Sequence, residues 1–304
     1  EDGVVVFCTR IKTAEPSDTC LISMHPIGGT AWLPIMTNLA RTGVHVLACD
    51  SRYRGADHAL NMEKVTLDLG SAVRHAREVL GYKHVVLLGW SGGGSLSAFY
   101  QAQAEQPTVE SSPCGGGPNL VEANLLPADG LIMMAAHVSR HGTLTEWIDP
   151  SILDESDPDQ RDLALDIYGS GLAPPFDDAF LTRYRAAQIE RNQKITAWVK
   201  DKLDSLARQG KPNEEFAFVT HGTMADPAWL DPTIDPSDRK PGWCYLGDPK
   251  VVNNGPVGLA RFSTLRSWLS QWSYDDANAD GPRSLASVSC PVLVIGNTAD
   301  DACT

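Results

Sequence analysis

The sequence predicts an α/β fold, a mostly parallel sheet flanked by helices with a helical insertion before the last strand. Three observations predict it. Short apolar runs alternate with amphipathic stretches over residues 1–142, the pattern of crossover units that build a parallel sheet. The run VVLLGWSGGGS (85–95) passes from a short buried strand through a glycine-rich turn into the helical pattern SLSAFYQAQAE. From residue 143 the alternation gives way to helical patterns, until CPVLVIG (290–296) returns to strand.

The elements follow in order. VVVF (4–7) reads as a first strand, and EPSD (15–18) as a turn. CLISM (20–24) is a strand that runs into His25-Pro26-Ile27-Gly28-Gly29-Thr30. A helix over 32–39 and a buried strand over 44–49 come next, then Asp50-Ser51-Arg52-Tyr53-Arg54-Gly55, whose Asp50 and Arg52 read as structural. Met62, Val65, Leu69, Val73, Ala76 and Leu80 fall three or four apart on one helical face, and Gly81 ends that helix. Residues 107–127 are rich in Pro, Gly, Ser and Asn and read as a surface loop. GLIMMAA (130–136) is the next strand, and His137 and His141 follow its end. In a parallel sheet they share an edge with Ser91.

Beyond residue 143, the spacing predicts a long helix over 178–209, with Leu181, Tyr184, Ile195, Trp198, Leu203 and Leu206 buried. A second helix is expected over 259–272, with Phe262, Leu265, Trp268, Leu269 and Trp272 three or four apart, after a Pro- and Asp-rich loop over 226–248. Trp147, Trp198, Trp229, Trp243, Trp268 and Trp272 lie in this section. Their ordinary reading is the core of the insertion, and the sharper one is that one or two line an apolar substrate pocket.

Gly89-Trp90-Ser91-Gly92-Gly93 is a GxSxG motif between strand and helix. Small neighbours let the turn lift the Ser91 hydroxyl clear of the sheet, and the Gly92 N–H sits at the positive end of the following helix. Neither phosphate-loop pattern, GxxxxGK[ST] nor GxGxxG, is present. A close-packed structural turn is the alternative. On these residues the chain resembles the α/β-hydrolase family. The resemblance implies a nucleophile at Ser91 and an oxyanion hole from the N–H groups of Gly92 and Ile27, with Gly28 and Gly29 curling the chain toward the bound oxygen and His25 positioning the loop. It implies the acid at Asp300, with Asp301 as the alternate, although two aspartates after a strand also serve as turn caps. It divides the chain into a core (1–142), a helical cap (143–279), and the core's return strand and acid turn (280–304).

The family order is nucleophile, acid, histidine, yet no histidine follows Asp300. A serine hydroxyl needs a base. The first expectation is a histidine on a later segment or a second chain. His137 or His141 could substitute, or the fold could be a binding module without a base. The function expected is a serine hydrolase that cleaves a carboxylic ester through an acyl-enzyme. Amidase or peptidase, thioesterase, lactonase and C–C hydrolase chemistry use the same machinery, and a noncatalytic receptor is the rival class.

Composition narrows the partners. The net charge of −13, without a basic stripe, argues against nucleic acid or an anionic membrane surface. No apolar run reaches the length of a membrane span. The seven cysteines contain no CxxC pair, so a structural zinc site is not expected. Their odd number predicts a reducing, cytoplasmic compartment. A Cys8–Cys20 bridge would instead point to export, and the start at Glu1-Asp2 is compatible with a trimmed leader. The expected partner is a small acyl substrate with an apolar part, homo-oligomerisation is left open, and the chemistry calls for no metal or organic cofactor.

Overall fold

A computed structural model describes residues 3–169, 171–234 and 237–303. Glu1 and Asp2, on which the trimmed-leader expectation rests, lie outside the described residues, as do Asp235 and Pro236 of the expected 226–248 loop. The chain divides into two compact units, Glu1–Arg140 with Ala277–Gly296, and His141–Asp276 with Asn297–Thr304. In chain order the elements are β1 (Cys8–Ile11), β2 (Thr19–Met24), α1 (Pro34–Arg41), β3 (His45–Cys49), α2 (Met62–Arg74), β4 (His84–Ser91), α3 (Gly93–Glu105) and β5 (Gly130–Ala136). Then come α4 (Arg140–Trp147), α5 (Asp178–Arg208), β6 (Ala217–Val219), α6 (Pro249–Asn253), β7 (Phe262–Thr264), α7 (Leu265–Gln271), α8 (Gly281–Leu285) and β8 (Val292–Ile295).

The first unit is built on a six-stranded sheet, order β1-β3-β2-β4-β5-β8, parallel except for β1. Alternate side chains of its inner strands feed two cores. Ile22, Leu47 and Leu87 face α2 and α3 through Val65, Leu69, Leu96 and Phe99. Leu21, Val46 and Leu88 face α1 through Met36 and Ala40. Burial on both faces explains why these strands read as unbroken apolar runs. The chain adds β3 on one side of β2 and then crosses to lay β4 on the other. The order therefore reverses between β2 and β4, and a crevice opens at their carboxyl ends.

Several boundaries differ from the sequence reading. The first strand is Cys8–Ile11, not 4–7. Register decides this, because Cys8 pairs with Cys49 and Ile11 with Val46. Pro34 at the first helical position moves α1 to 34–41. The helix expected over 62–80 is α-helical to Arg74 and continues as a π-helical turn, His75–Val79. Asn61 caps α2, its Oδ1 accepting from the Lys64 N–H at 2.9 Å while its Nδ2 donates to Ser112 Oγ at 2.7 Å. Asn61→Ala is expected to cost about 1–2 kcal/mol, read as a lower urea midpoint with an unchanged m-value. β8 pairs with β5 as expected of a return strand, but all four of its apolar side chains are exposed.

In the second unit, α5 runs 178–208, close to the predicted 178–209, and starts where Asp177 accepts from the Phe180 N–H at 2.7 Å. The section is not purely helical. β6 and β7 pair antiparallel, so the helix expected over 259–272 is confined to Leu265–Gln271. Trp147, Trp229, Trp268 and Trp272 are buried, whereas Trp198 and Trp243 are 38% and 42% exposed. All seven cysteines are free thiols, so Cys8 and Cys20 form no bridge. No helix among the described residues is long and apolar enough to cross a membrane.

Candidate active site

Three loops of the first unit meet at the carboxyl edge of the sheet: 25–30 after β2, the turn after β4, and 137–140 after β5. Parallel pairing of β4 with β2 and β5 brings them there, with Ser23 opposite Leu88 and Ser91 opposite Ala136. Ser91 ends β4 with φ +52°, a left-handed conformation that side chains other than glycine rarely adopt. Strain at one hydroxyl-bearing residue, at the sheet's reversal point, points to function. The glycines around it are there for space. A Cβ on Gly89 would lie 2.6 Å from the Gly93 carbonyl oxygen, and one on Gly93 would lie 2.6 Å from that of Met24. A Cβ on Gly94 would collide with Ala136. These contacts hold α3 against β2 and β5, so its amino-terminal N–H groups open beside Ser91.

The chain has a mostly parallel central sheet flanked by helices. No family model matches it, and no curated protein matches it either. Among solved structures it is similar to Est1E from Butyrivibrio proteoclasticus, at 17% identity and TM-score 0.32 over 44% of this chain and 48% of that one. It is also similar to the siderophore hydrolase EstB from Aspergillus fumigatus, at 12% identity and TM-score 0.44 over 95% and 72% of the two chains. A third is the Paleococcus ferrophilus monoacylglycerol lipase, at 12% identity and TM-score 0.40 over 96% and 77%. The match to Est1E spans about half of that chain's length.

The loop after β2 is held by two side chains. Asp50 Oδ1 accepts from the Gly29 N–H at 2.7 Å, and Arg54 pairs with the same carboxylate at 3.2 Å. Gly28 and Gly29 both take positive φ to make the curl. His25 holds the other side, its Nδ1 accepting from the Ile27 N–H at 3.2 Å. The Ile27 N–H, expected from the sequence to face a bound oxygen, is thus engaged by His25. Its nearest sequence signal is the two-residue step from His25, short enough for a side chain to reach back to the main chain.

Sequence reasoning missed Arg140. It is 7% exposed and donates from Nη2 to Asp57 Oδ2 at 2.8 Å, across a separation of 83 residues. Its Nη1 lies 3.5 Å from where a Cβ on Gly92 would sit, and His25 Nε2 lies 3.1 Å from the same point. The one sequence hint is the polar run HVSRH directly after a strand. His137 joins the edge through its backbone, donating its N–H to the Ser91 carbonyl at 3.0 Å.

Burial, with Arg140 and then His137 adding to it, pushes the His25 imidazole from 6.5 down to about 3. His25 is therefore neutral at pH 7. Its folded pKa is below its unfolded one, so unfolding takes up a proton between those values. Its contribution to stability is complete above pH 6.5 and is lost as pH falls toward 3. Urea midpoints at pH 7 and 4.5 are expected to fall less in His25→Asn than in the native protein.

Asp300 and Asp301 belong to the second unit. Asp300 Oδ1 accepts from the N–H groups of Ala302 and Cys303 at 2.9 and 2.8 Å, and the Asp301 carbonyl accepts from Trp229 Nε1 at 2.9 Å. His141 belongs there too, its ring edge-on to Tyr274. That unit contains a cavity of about 770 Å³ whose walls include Ile195, Trp198, Phe216 and Phe218, with the Arg191–Glu155 pair beside them. Trp198 is thus a tryptophan that lines a pocket, although its spacing predicted a buried core position.

Proposed function

We propose that the protein is a serine hydrolase that cleaves a carboxylic ester or related acyl bond through an acyl-enzyme. The observation that carries this reading is the left-handed Ser91 at the sheet's reversal point, just before Gly92, the N-cap of α3. Ser91 Oγ attacks the acyl carbon while its proton passes to a base. The Gly92 N–H receives the charge that develops on the carbonyl oxygen; the Ile27 N–H, which the family resemblance assigns as second donor, is engaged by His25 Nδ1. The alcohol leaves with the proton from the base, and water then cleaves the ester to Ser91 and releases the acid.

His25 does not suit the role of base, because a neutral imidazole that accepts at Nδ1 carries its proton on Nε2. The base in this proposal is a histidine outside residues 1–304, with Asp300, or Asp301 as the alternate, orienting it. In this proposal the section over 143–279 is a cap that sets substrate choice, and the substrate is an acyl compound with an apolar part. The test is pre-steady-state hydrolysis of p-nitrophenyl esters of increasing chain length by the native full-length protein. A burst of about one p-nitrophenolate per active site, as acyl-enzyme accumulation produces, supports the reading. No turnover across the series favours a noncatalytic binding protein.

A further inference from the structure

We propose that His25 is itself a catalytic residue, and that its Nε2–H donates a hydrogen bond to the oxyanion beside the Gly92 N–H. The inference rests on the serine hydrolase reading and deepens it. Four features of the first unit carry it. The Ile27 N–H is turned to His25 Nδ1 at 3.2 Å, so this backbone donor is already engaged. That bond fixes the tautomer, because a ring nitrogen that accepts a hydrogen bond has no proton, and the neutral ring then carries it on Nε2. Among the described residues Nε2 makes no hydrogen bond, although His25 is nine-tenths buried, and it lies 3.1 Å from the Cβ position of Gly92. Finally, Gly92 caps the thirteen-residue α3, so the helix presents its partial positive charge at the same place.

The imidazole therefore relays the Ile27 amide: it takes that N–H at one edge and offers its own at the other. An oxygen held by the Gly92 N–H lies within reach of Nε2–H. As the Ser91 Oγ–carbon bond forms, the carbonyl π electrons move onto that oxygen, and both donors shorten toward it without giving up a proton. Arg140 serves in two ways. Its charge, next to Gly92, favours the oxyanion, and it also discourages a second proton on His25. A protonated ring would lose the bond from Ile27, so keeping the ring neutral preserves the relay. Packing against Trp90, at 5.9 Å between ring centroids, holds the imidazole plane.

The test compares His25→Asn with His25→Gln in the full-length protein, using p-nitrophenyl ester kinetics. Asn keeps an oxygen near the position of Nδ1 for the Ile27 N–H but has nothing at Nε2. Gln places an amide N–H near Nε2 and gives up the inner acceptor. The expected result is a fall in kcat of about 10²-fold for Asn with KM little changed, and partial recovery with Gln. Urea melting shows whether each variant is folded. If Asn is folded and keeps the native kcat, or if Gln is worse than Asn, His25 only positions the loop and the proposal is overturned. Imidazole 15N shifts give an independent reading that does not depend on variant folding. They should report a neutral Nε2–H tautomer at pH 6, and a protonated ring or an Nδ1–H tautomer overturns the proposal. A native protein that turns over no ester refutes the hydrolase reading itself. Normal native turnover with an unaffected Asn variant refutes only the role of His25.

Discussion

Ser91→Ala is expected to lower ester hydrolysis by about 10⁴-fold or more in kcat while leaving KM within a few-fold. In the proposed mechanism the side chain at this position makes the covalent bond, so nothing nearby can take over once Oγ is gone. Substrate is held by other groups and continues to bind. A second substitution separates chemistry from backbone strain. Ser91 has φ +52°, which costs an L-residue about 1–2 kcal/mol. Glycine adopts that angle freely but loses about 0.5–1 kcal/mol more backbone entropy on folding. Ser91→Gly should therefore be as inactive as Ser91→Ala and about 0.5–1 kcal/mol more stable than the native protein. A glycine variant less stable than the alanine variant would mean that the turn at Ser91 holds no strain.

The second large effect is on stability. Gly89→Ala and Gly93→Ala each place a methyl 2.6 Å from a backbone carbonyl oxygen, of Gly93 and Met24 respectively. Neither oxygen can swing aside, because Gly93 starts α3 and Met24 ends β2. The chain must move, at a cost of about 3 kcal/mol or more, the upper end for overpacking. Gly171→Ala is the control, since no atom lies within 4 Å of its Cβ position and its φ is ordinary. It should fall within about 0.5 kcal/mol of the native protein. Urea or thermal melting of the three variants checks the ranking. Where Gly93→Ala still folds, activity should fall as well, because its methyl pushes α3 off the end of β2 and widens the gap between Gly92 and His25.

Legibility in the sequence followed the strength of the local signal. β5 was predicted at its observed residues because GLIMMAA is apolar and bounded, and α5 was readable from 31 residues of periodicity between Asp177 and Gly210. β1 was misplaced because VVVF is as strand-like as CTRI, and only pairing with β3 chooses between them. The 259–272 helix was overextended because Phe262 kept helical spacing with Leu265, while β6 recruited Phe262–Thr264 as a strand. The strand–turn–helix at Ser91 was readable because its constraint is local: small residues around one serine. The pairing of Arg140 with Asp57 was not, since two loops far apart in sequence meet only once the parallel sheet is assembled. The engagement of the Ile27 N–H by His25 depends on a side-chain rotamer, and no motif encodes one.

The central claim is that Ser91 is an activated nucleophile. A fluorophosphonate probe tests it most directly, with native full-length protein analysed by intact mass and peptide mapping. The account predicts one phosphonyl adduct per chain, carried by the peptide containing Ser91 and absent from Ser91→Ala. A native protein that gains no adduct, or one whose adduct persists in Ser91→Ala, would contradict it.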